Sequence, residues 1–282
     1  ACGLLMSVCE LRGLRIPAGD VLQRRAMIAS ELAEDWAECA TPVEFDYWEV
    51  DPPRSPGRDD ATNVHVVSVP RPWIDQLADD CRHARLDCWA VDAAPVALAR
   101  AVALAEPTPT NQPRLAIDWG FQNATLVVTA GGHALYTRSL RDCQLSRIID
   151  AVQTQLGVTR DEAIHLLTQH GLVGTSADDG DDLDVRRAIT VAAASSVETL
   201  VREVTRTMEF LEQSRPPWLP DRVVLAGGGA CVAHVDKLLS EKLELPVRAW
   251  TLSRTEYTEA DYGSTALFAH AAALSALAWG PQ

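Results

Sequence analysis

Two short stretches carry residue types that could hold a charged ligand. The first is Arg222-Val223-Val224-Leu225-Ala226-Gly227-Gly228-Gly229-Ala230. It reads as a buried strand that ends on three glycines and opens into the helical pattern Val232–Leu243. Glycines there let the backbone turn sharply and leave room for a flat ligand against it. The following helix would present unpaired N–H groups and the positive end of its dipole. The second stretch, Leu115–Thr129, is an apolar strand that ends in Asp118-Trp119-Gly120, turns, and resumes as a second strand.

The elements around these stretches are readable from pattern. Gly131-Gly132 predicts a tight hairpin before a third strand, His133–Leu140. A helix follows at Gln144–Gln155, then the Arg222–Ala226 strand, a short strand at Pro246–Trp250 and a final helix from about Asp261. Expected core residues are Leu115, Ile117, Leu126, Val128, Val224 and Leu225. A long helix is expected from Leu183 to Gln213, with Ile189, Ala193, Val197, Leu200, Val204, Met208 and Leu211 as one apolar stripe. Arg202, Glu203, Arg206 and Glu209 fall on its other side, and Pro216-Pro217 and Pro220 end it. In the first third, strands are expected at Ser7–Ile16, Glu44–Val50, Val64–Val69 and Leu86–Val91, all on one sheet. Helices are expected at Asp20–Cys39, Pro72–Ala84 and Ala94–Ala105. The tract from Glu106 to Pro113, with three prolines, reads as a hinge.

Bulk properties narrow the function classes. A chain of 282 residues with 47% hydrophobic residues can bury roughly three quarters of its unfolded surface. Its net charge of −14 offers no basic stripe to displace counterions, which argues against nucleic acid. Thr265–Trp279 is too short to span a bilayer and reads as a buried terminal helix, so direct membrane insertion is not expected. No basic segment precedes Gly3–Val8, so a signal peptide is not supported. The 7 cysteines form no Cys-x-x-Cys pair; reduced, mostly buried thiols and a cytoplasmic setting are expected. Cys81 and Cys88 flank a helix end rather than forming a zinc knuckle, and His165 and His170 do not share a helix face, so no structural metal is expected. The acidic run Asp178-Asp179-Gly180-Asp181-Asp182 lacks the pattern of a calcium loop. Its last aspartates are expected to cap the next helix.

The order β-β-β-α-β-α-β-α, with an insertion after the first helix, resembles a ribonuclease-H-like half of the actin and Hsp70 fold. Residues 113–282 resemble PilM-like proteins of type IV pilus assembly, within the actin-like ATPase superfamily. Asp118-Trp119-Gly120 matches that family's second phosphate motif and Leu225–Ala230 its adenosine motif. Tyr262-Gly263-Ser264-Thr265-Ala266 resembles the second connecting helix, Val91–Ala101 the first, and Ala134–Leu140 echoes a family phrase. The resemblance implies an α/β actin-like ATPase fold, a ribonuclease-H-like lobe with a mixed sheet plus a smaller α+β subdomain. It divides the chain into a partner-binding extra subdomain at 1–92, a connecting helix and hinge at 93–112, and a C-terminal lobe at 113–282 with a helical insertion at 157–220.

The resemblance also implies sites. ATP and Mg2+ would be held by Asp118 as the metal residue and by Gly120, Gln122, Asn123, Thr125, Gly227, Gly228, Gly229 and Ala230. Departures weaken this site. No second Asp-x-Gly hairpin lies upstream of Asp118, where the family's first phosphate motif would stand. Phe121, Gln122 and Asn123 replace small and hydroxyl residues, leaving Thr125 as the hydroxyl. Ala94 stands where such sequences commonly carry a glutamate, so no catalytic residue is assigned. Each lost donor contact to a charged acceptor is worth ~1.5–3 kcal/mol, and two such losses weaken affinity by roughly two to four powers of ten. The implied partner is a PilN-like cytoplasmic segment of an inner-membrane assembly protein, with Arg24, Arg25, Trp36, Tyr47 and Trp48 as candidate surface residues. The expected function is therefore a scaffold of a type IV pilus or type II secretion platform, peripheral to the inner membrane. The alternatives are a Mg-ATP-hydrolysing actin-like ATPase and a small-molecule kinase of the same superfamily.

Overall fold

The computed structural model describes residues 1–50, 61–106, 110–174, 182–252 and 265–277. It divides into two units, Ala1–Ala97 with Leu274–Gln282, and Leu98–Ala273. The first unit contains β1 (Cys2–Leu4), β2 (Glu10–Ile16), α1 (Val21–Glu31), α2 (Ala33–Ala37), β3 (Val43–Glu49), β4 (Thr62–Pro70), α3 (Arg71–His83) and β5 (Val91–Ala93). α1 begins at a reciprocal cap: Gln23 N–H donates to Asp20 Oδ1 at 2.9 Å, and Asp20 N–H to Gln23 Oε1 at 3.0 Å. β4 lies between β2 and β3, antiparallel to both. Its Val64 and Val66 meet Ile16, Ile28 and Leu32 in a core edged by Leu14, Trp36, Phe45 and Tyr47.

Three expectations for this unit change. The strands do not share one sheet: β5 pairs in parallel with β1, with Cys2 opposite Val91, apart from the three-stranded sheet. Residues Leu86–Ala90 form no strand, and Leu86 and Trp89 are exposed. Without a buried face on that segment, strand pairing begins only at Val91. The helix expected over Asp20–Cys39 is broken at Leu32, whose buried side chain joins the core. The candidate surface residues are also engaged. Trp36 stacks on Phe45 with ring centroids 5.0 Å apart, and Arg25 pairs with Asp46 at 3.1 Å while covering the Phe45 ring. Arg24 pairs with Glu49, and Trp48 meets His65 edge-on.

α4 (Ala94–Ala105) leads into the second unit, which holds β6 (Arg114–Trp119), β7 (Ala124–Ala130), β8 (His133–Leu140), α5 (Leu145–Leu156), α6 (Arg160–Gln169), α7 (Leu183–Ser214), β9 (Val223–Ala226), α8 (Val235–Leu243), β10 (Val247–Ala249) and α9 (Ala269–Leu277) as far as Ala273. The sheet order is β10-β9-β6-β7-β8. β6, β7 and β8 are an antiparallel meander, whereas β9 runs parallel to β6 and to β10. The β7–β8 hairpin turns on Gly131 and Gly132 at φ +58° and +82°, as a two-residue turn of this hand requires. Leu115, Ile117, Leu126, Val128, Val224 and Leu225 are all buried, as the apolar pattern predicts.

α7 buries Ile189, Ala193, Val197, Leu200, Val204 and Leu211, but Thr207 replaces Met208 at the bottom of the stripe. Glu203, placed on the outer side by periodicity, instead turns to the Arg138 guanidinium of β8, which also donates to Thr207 Oγ1 at 2.9 Å. Asp182 does not cap α7 through its side chain; its carboxylate lies 3.3 Å from His170 Nδ1. Residues 178–181 of the acidic run, 107–109 of the expected hinge and 261–264 at the start of the final helix lie outside the described residues. Glu106, the first hinge residue, is held by Arg114 at 3.0 Å and Arg248 at 3.3 Å, and Arg114 also reaches Asp221 at 2.7 Å. Of the cysteines, Cys143 is buried, Cys39 is exposed and the other five are half-buried, so the expectation of mostly buried thiols does not hold.

Because Val224 is 2% exposed in the middle of β9, Val224→Asp would bury an unpaired charge. The expected outcome is loss of soluble expression, scored by comparing soluble and total protein with the parent chain. A soluble, normally folded variant would contradict this placement of β9.

Candidate functional site

The two stretches singled out in the sequence meet in the second unit. Asp118 is directly opposite Thr125 on β7 and Ala226 on β9, and Thr125 is opposite Ser139 on β8. Paired positions share a sheet face, so the Asp118 carboxylate and the Thr125 hydroxyl are cross-strand neighbours. The turn between β6 and β7 is held by the first residues of α5: Leu145 N–H donates to Gly120 O at 3.1 Å and Ser146 N–H to Phe121 O at 3.0 Å. The N-terminus of α5 is therefore occupied with positioning the loop. Phe121, Gln122 and Asn123 are exposed, and the Arg160 guanidinium lies 4.6 Å from the centre of the Phe121 ring.

β9 delivers the glycines to the same place. Gly227 has φ +78°, and a Cβ there would come within 2.5 Å of Asp118 Oδ1 and 2.9 Å of Trp119 O. Only glycine allows both the left-handed turn and this approach. A Cβ on Gly229 would meet the Trp119 ring at 2.3 Å. The space that Gly229 opens is therefore filled by this indole, whose N–H donates to Cys143 O at 2.6 Å. Gly227 and Gly228 stay half-buried, whereas Gly229 and Ala230 are buried. Gly227 N–H donates to Ala266 O at 3.0 Å, joining the triplet to the turn before α9.

The helix expected immediately after the glycines starts later. Gly228–Cys231 is a single 3-10 turn, and α8 begins at Val235 after His234 in a left-handed conformation, φ 59°. The N–H groups of the first turn of α8 thus do not continue directly from the glycine triplet. Tucking Gly229 beneath Trp119 redirects the chain before helix can form.

Burial pushes the Asp118 carboxyl above the usual carboxylate range, and His270 of α9, with Nδ1 3.7 Å away, pulls it partly back. His270 is the site residue that pattern reading missed. Its signal was a lone imidazole in an otherwise apolar terminal helix. The Cys143 thiol is pushed up to about 11, chiefly by burial and then by Glu203 and Asp142, so it stays protonated near neutrality. A hydrated Mg2+ fits the Asp118 position on chemical grounds. One carboxylate suffices for an ion that keeps most of its waters, and the glycine cradle leaves Asp118 Oδ1 room that any Cβ at 227 would take. The space that Gly229 opens belongs to Trp119.

A chain of the solved PilM-PilN type IV pilus biogenesis complex matches with a TM-score of 0.77 and 18% sequence identity, covering 99% of this chain and 79% of that one. The chain has a PilM-like, actin-like fold. MreB 5 of Spiroplasma citri bound to AMPPNP matches with a TM-score of 0.54 and 14% identity, covering 74% of this chain and 63% of that one. No family model matches the sequence, and no curated protein matches it. Within the PilM-like fold, Asp118, Thr125 and Gly227 converge where β6 and β9 end and β7 begins. Of the segment compared with the second connecting helix, residues 262–264 lie outside the described ones, while Thr265 Oγ1 donates to Trp250 O at 3.3 Å.

The raised Asp118 value sets a direction for stability. The folded chain holds this proton more tightly than the unfolded chain. The contribution is therefore fully present below the unfolded carboxylate range and is lost as pH rises through the raised folded value. Asp118→Asn removes that loss. Its melting temperature should exceed the parent's by a few degrees at neutral pH, and the gap should close on acidification. An equal or lower melting temperature at neutral pH would contradict a desolvated carboxylate.

Proposed function

We propose that this chain acts as a PilM-like scaffold in a pilus or secretion assembly platform and binds nucleotide only weakly. The observation that carries the reading is the likeness to the PilM-PilN complex across 99% of the chain. In this reading the smaller unit, residues 7–92, docks a short PilN-like cytoplasmic segment of an inner-membrane protein. Backbone hydrogen bonds and one or two apolar anchors would hold such a segment. No helix among the described residues is long and apolar enough to cross a membrane, and a tethered partner supplies the membrane association. The protein would then work in the cytoplasm, peripheral to the inner membrane.

The proposed nucleotide site uses Asp118 to orient Mg2+, with Gly120, Gln122, Asn123 and Thr125 near the phosphates and Gly227, Gly228, Gly229 and Ala230 toward the adenosine. Asp118 and the half-buried Gly227 and Gly228 support it. The indole packed on Gly229 supports weakness, because a purine would have to displace it. No residue is assigned to activating water. A hydrolysing ATPase is the second reading, favoured by one observation: the AMPPNP-bound MreB 5 shares the fold.

Two measurements check these proposals. Calorimetry with Mg-ATP should show no binding at micromolar chain concentration; submicromolar affinity abolished by Gly228→Asp would favour the ATPase. The full-length protein should capture the cytoplasmic tail of a membrane protein encoded beside it. Unchanged capture after deletion of residues 7–92, with circular dichroism still that of a folded chain, would remove the docking surface from this unit.

A further inference from the structure

Three thiols that lie far apart in sequence converge in the smaller unit. Cys2 Sγ is 3.4 Å from Cys81 Sγ and 3.7 Å from Cys88 Sγ, and all three sulfurs lie within 4.8 Å of one another. Cys81 sits in the last turn of α3, Cys88 in the segment leading to β5, and Cys2 on β1. The sequence spacing of Cys81 and Cys88 carries no metal signature because the third thiol comes from the opposite end of the unit. Sequence spacing alone gives no sign of this convergence.

Main-chain bonds fix the arrangement. Leu86 N–H donates to Cys81 O at 2.8 Å, and Arg85 takes φ 59°, so the chain reverses after α3 and returns Cys88 toward Cys81. Cys2 N–H donates to Ala90 O at 2.9 Å, and the β1–β5 register then holds Cys2 opposite Val91. All three residues are half-buried, so a cation could enter from solvent.

We propose that Cys2, Cys81 and Cys88 bind a zinc ion as three thiolates. Tetrahedral zinc with Zn–S bonds of about 2.3 Å sets its sulfurs about 3.8 Å apart, close to the separations here. Soft sulfur ligands favour zinc over Mg2+ or Ca2+, which require oxygen. Binding replaces three S–H protons with three Zn–S bonds and releases the protons to solvent. No fourth histidine, cysteine or carboxylate joins the cluster among the described residues, so water or an exogenous ligand completes the tetrahedron. The ion would clamp β1 to the end of α3 and to the approach to β5.

The test uses the full chain, reduced with a non-thiol reagent and given Zn2+ alone. About one zinc per chain should survive desalting, and Co2+ should produce a thiolate-to-cobalt charge-transfer band. Alkylation mapped by mass spectrometry should slow roughly tenfold or more at Cys2, Cys81 and Cys88, with exposed Cys39 unchanged. Cys81→Ser should lose the metal and Cys231→Ser should retain it. Absence of retained zinc, equal retention in Cys81→Ser, or no alkylation protection would each overturn the site. Should Cys81→Ser fail to fold, the alkylation map of the parent chain decides alone.

Discussion

The larger unit depends on how closely β9 approaches β6. Their parallel pairing, Leu115 to Val223 through Asp118 to Ala226, brings the end of β9 against the Asp-Trp-Gly turn with no space for side chains at 227 or 229. One contact therefore sets the left-handed turn at Gly227, packs the Trp119 indole against Gly229 and leaves the Asp118 carboxylate near the end of the central strand. The α5 N-terminus secures the opposite side of the turn by bonding the Gly120 and Phe121 carbonyls. The proposed cation position at Asp118 and the packing at Trp119 belong to the same strand end.

The sequence was most legible where periodicity and glycine placement agree. The β6–β8 meander, its Gly131-Gly132 hairpin and the buried sets on β6, β7 and β9 follow directly from continuous apolar runs and turn chemistry. Legibility failed where tertiary packing overrode local pattern. Leu86–Ala90 reads as a strand yet leaves Leu86 and Trp89 exposed, and Leu32 breaks a helix because the core beneath β4 requires its side chain. Glu203 lies on the polar side of a helical wheel, but Arg138 from another strand turns it inward. At the candidate site, Asp118 and the glycines were visible as residue types. His270 was not, and the indole filling the Gly229 notch could be recognised only once two distant segments were placed side by side.

The buried Arg114 illustrates how a connection is stiffened without hydrophobic bulk. Its guanidinium, 5% exposed, joins Glu106, Asp221 and, through Glu106, Arg248. A buried charge missing one partner costs several kcal/mol, about 3–5 by analogy with other buried pairs, so these residues constrain one another. The entry to β6, the entry to β9 and β10 are thus tied by one polar network. A proline-rich tract that reads as a hinge has its first residue in that network.

The parallel β6–β9 pair also determines when the sheet can close. β6 has its antiparallel partner as soon as β7 is made, but its second partner arrives only after α5, α6 and the 32-residue α7. Pairings so distant along the chain raise contact order and slow folding, since the loop-closure entropy is lost before the contact forms. During synthesis the meander can assemble while one edge of β6 still waits, an apolar border with unpaired amides. An acidic chain that repels copies of itself is suited to that interval, because its charge restrains sheet-edge association until Val223–Ala226 arrives to cover the border.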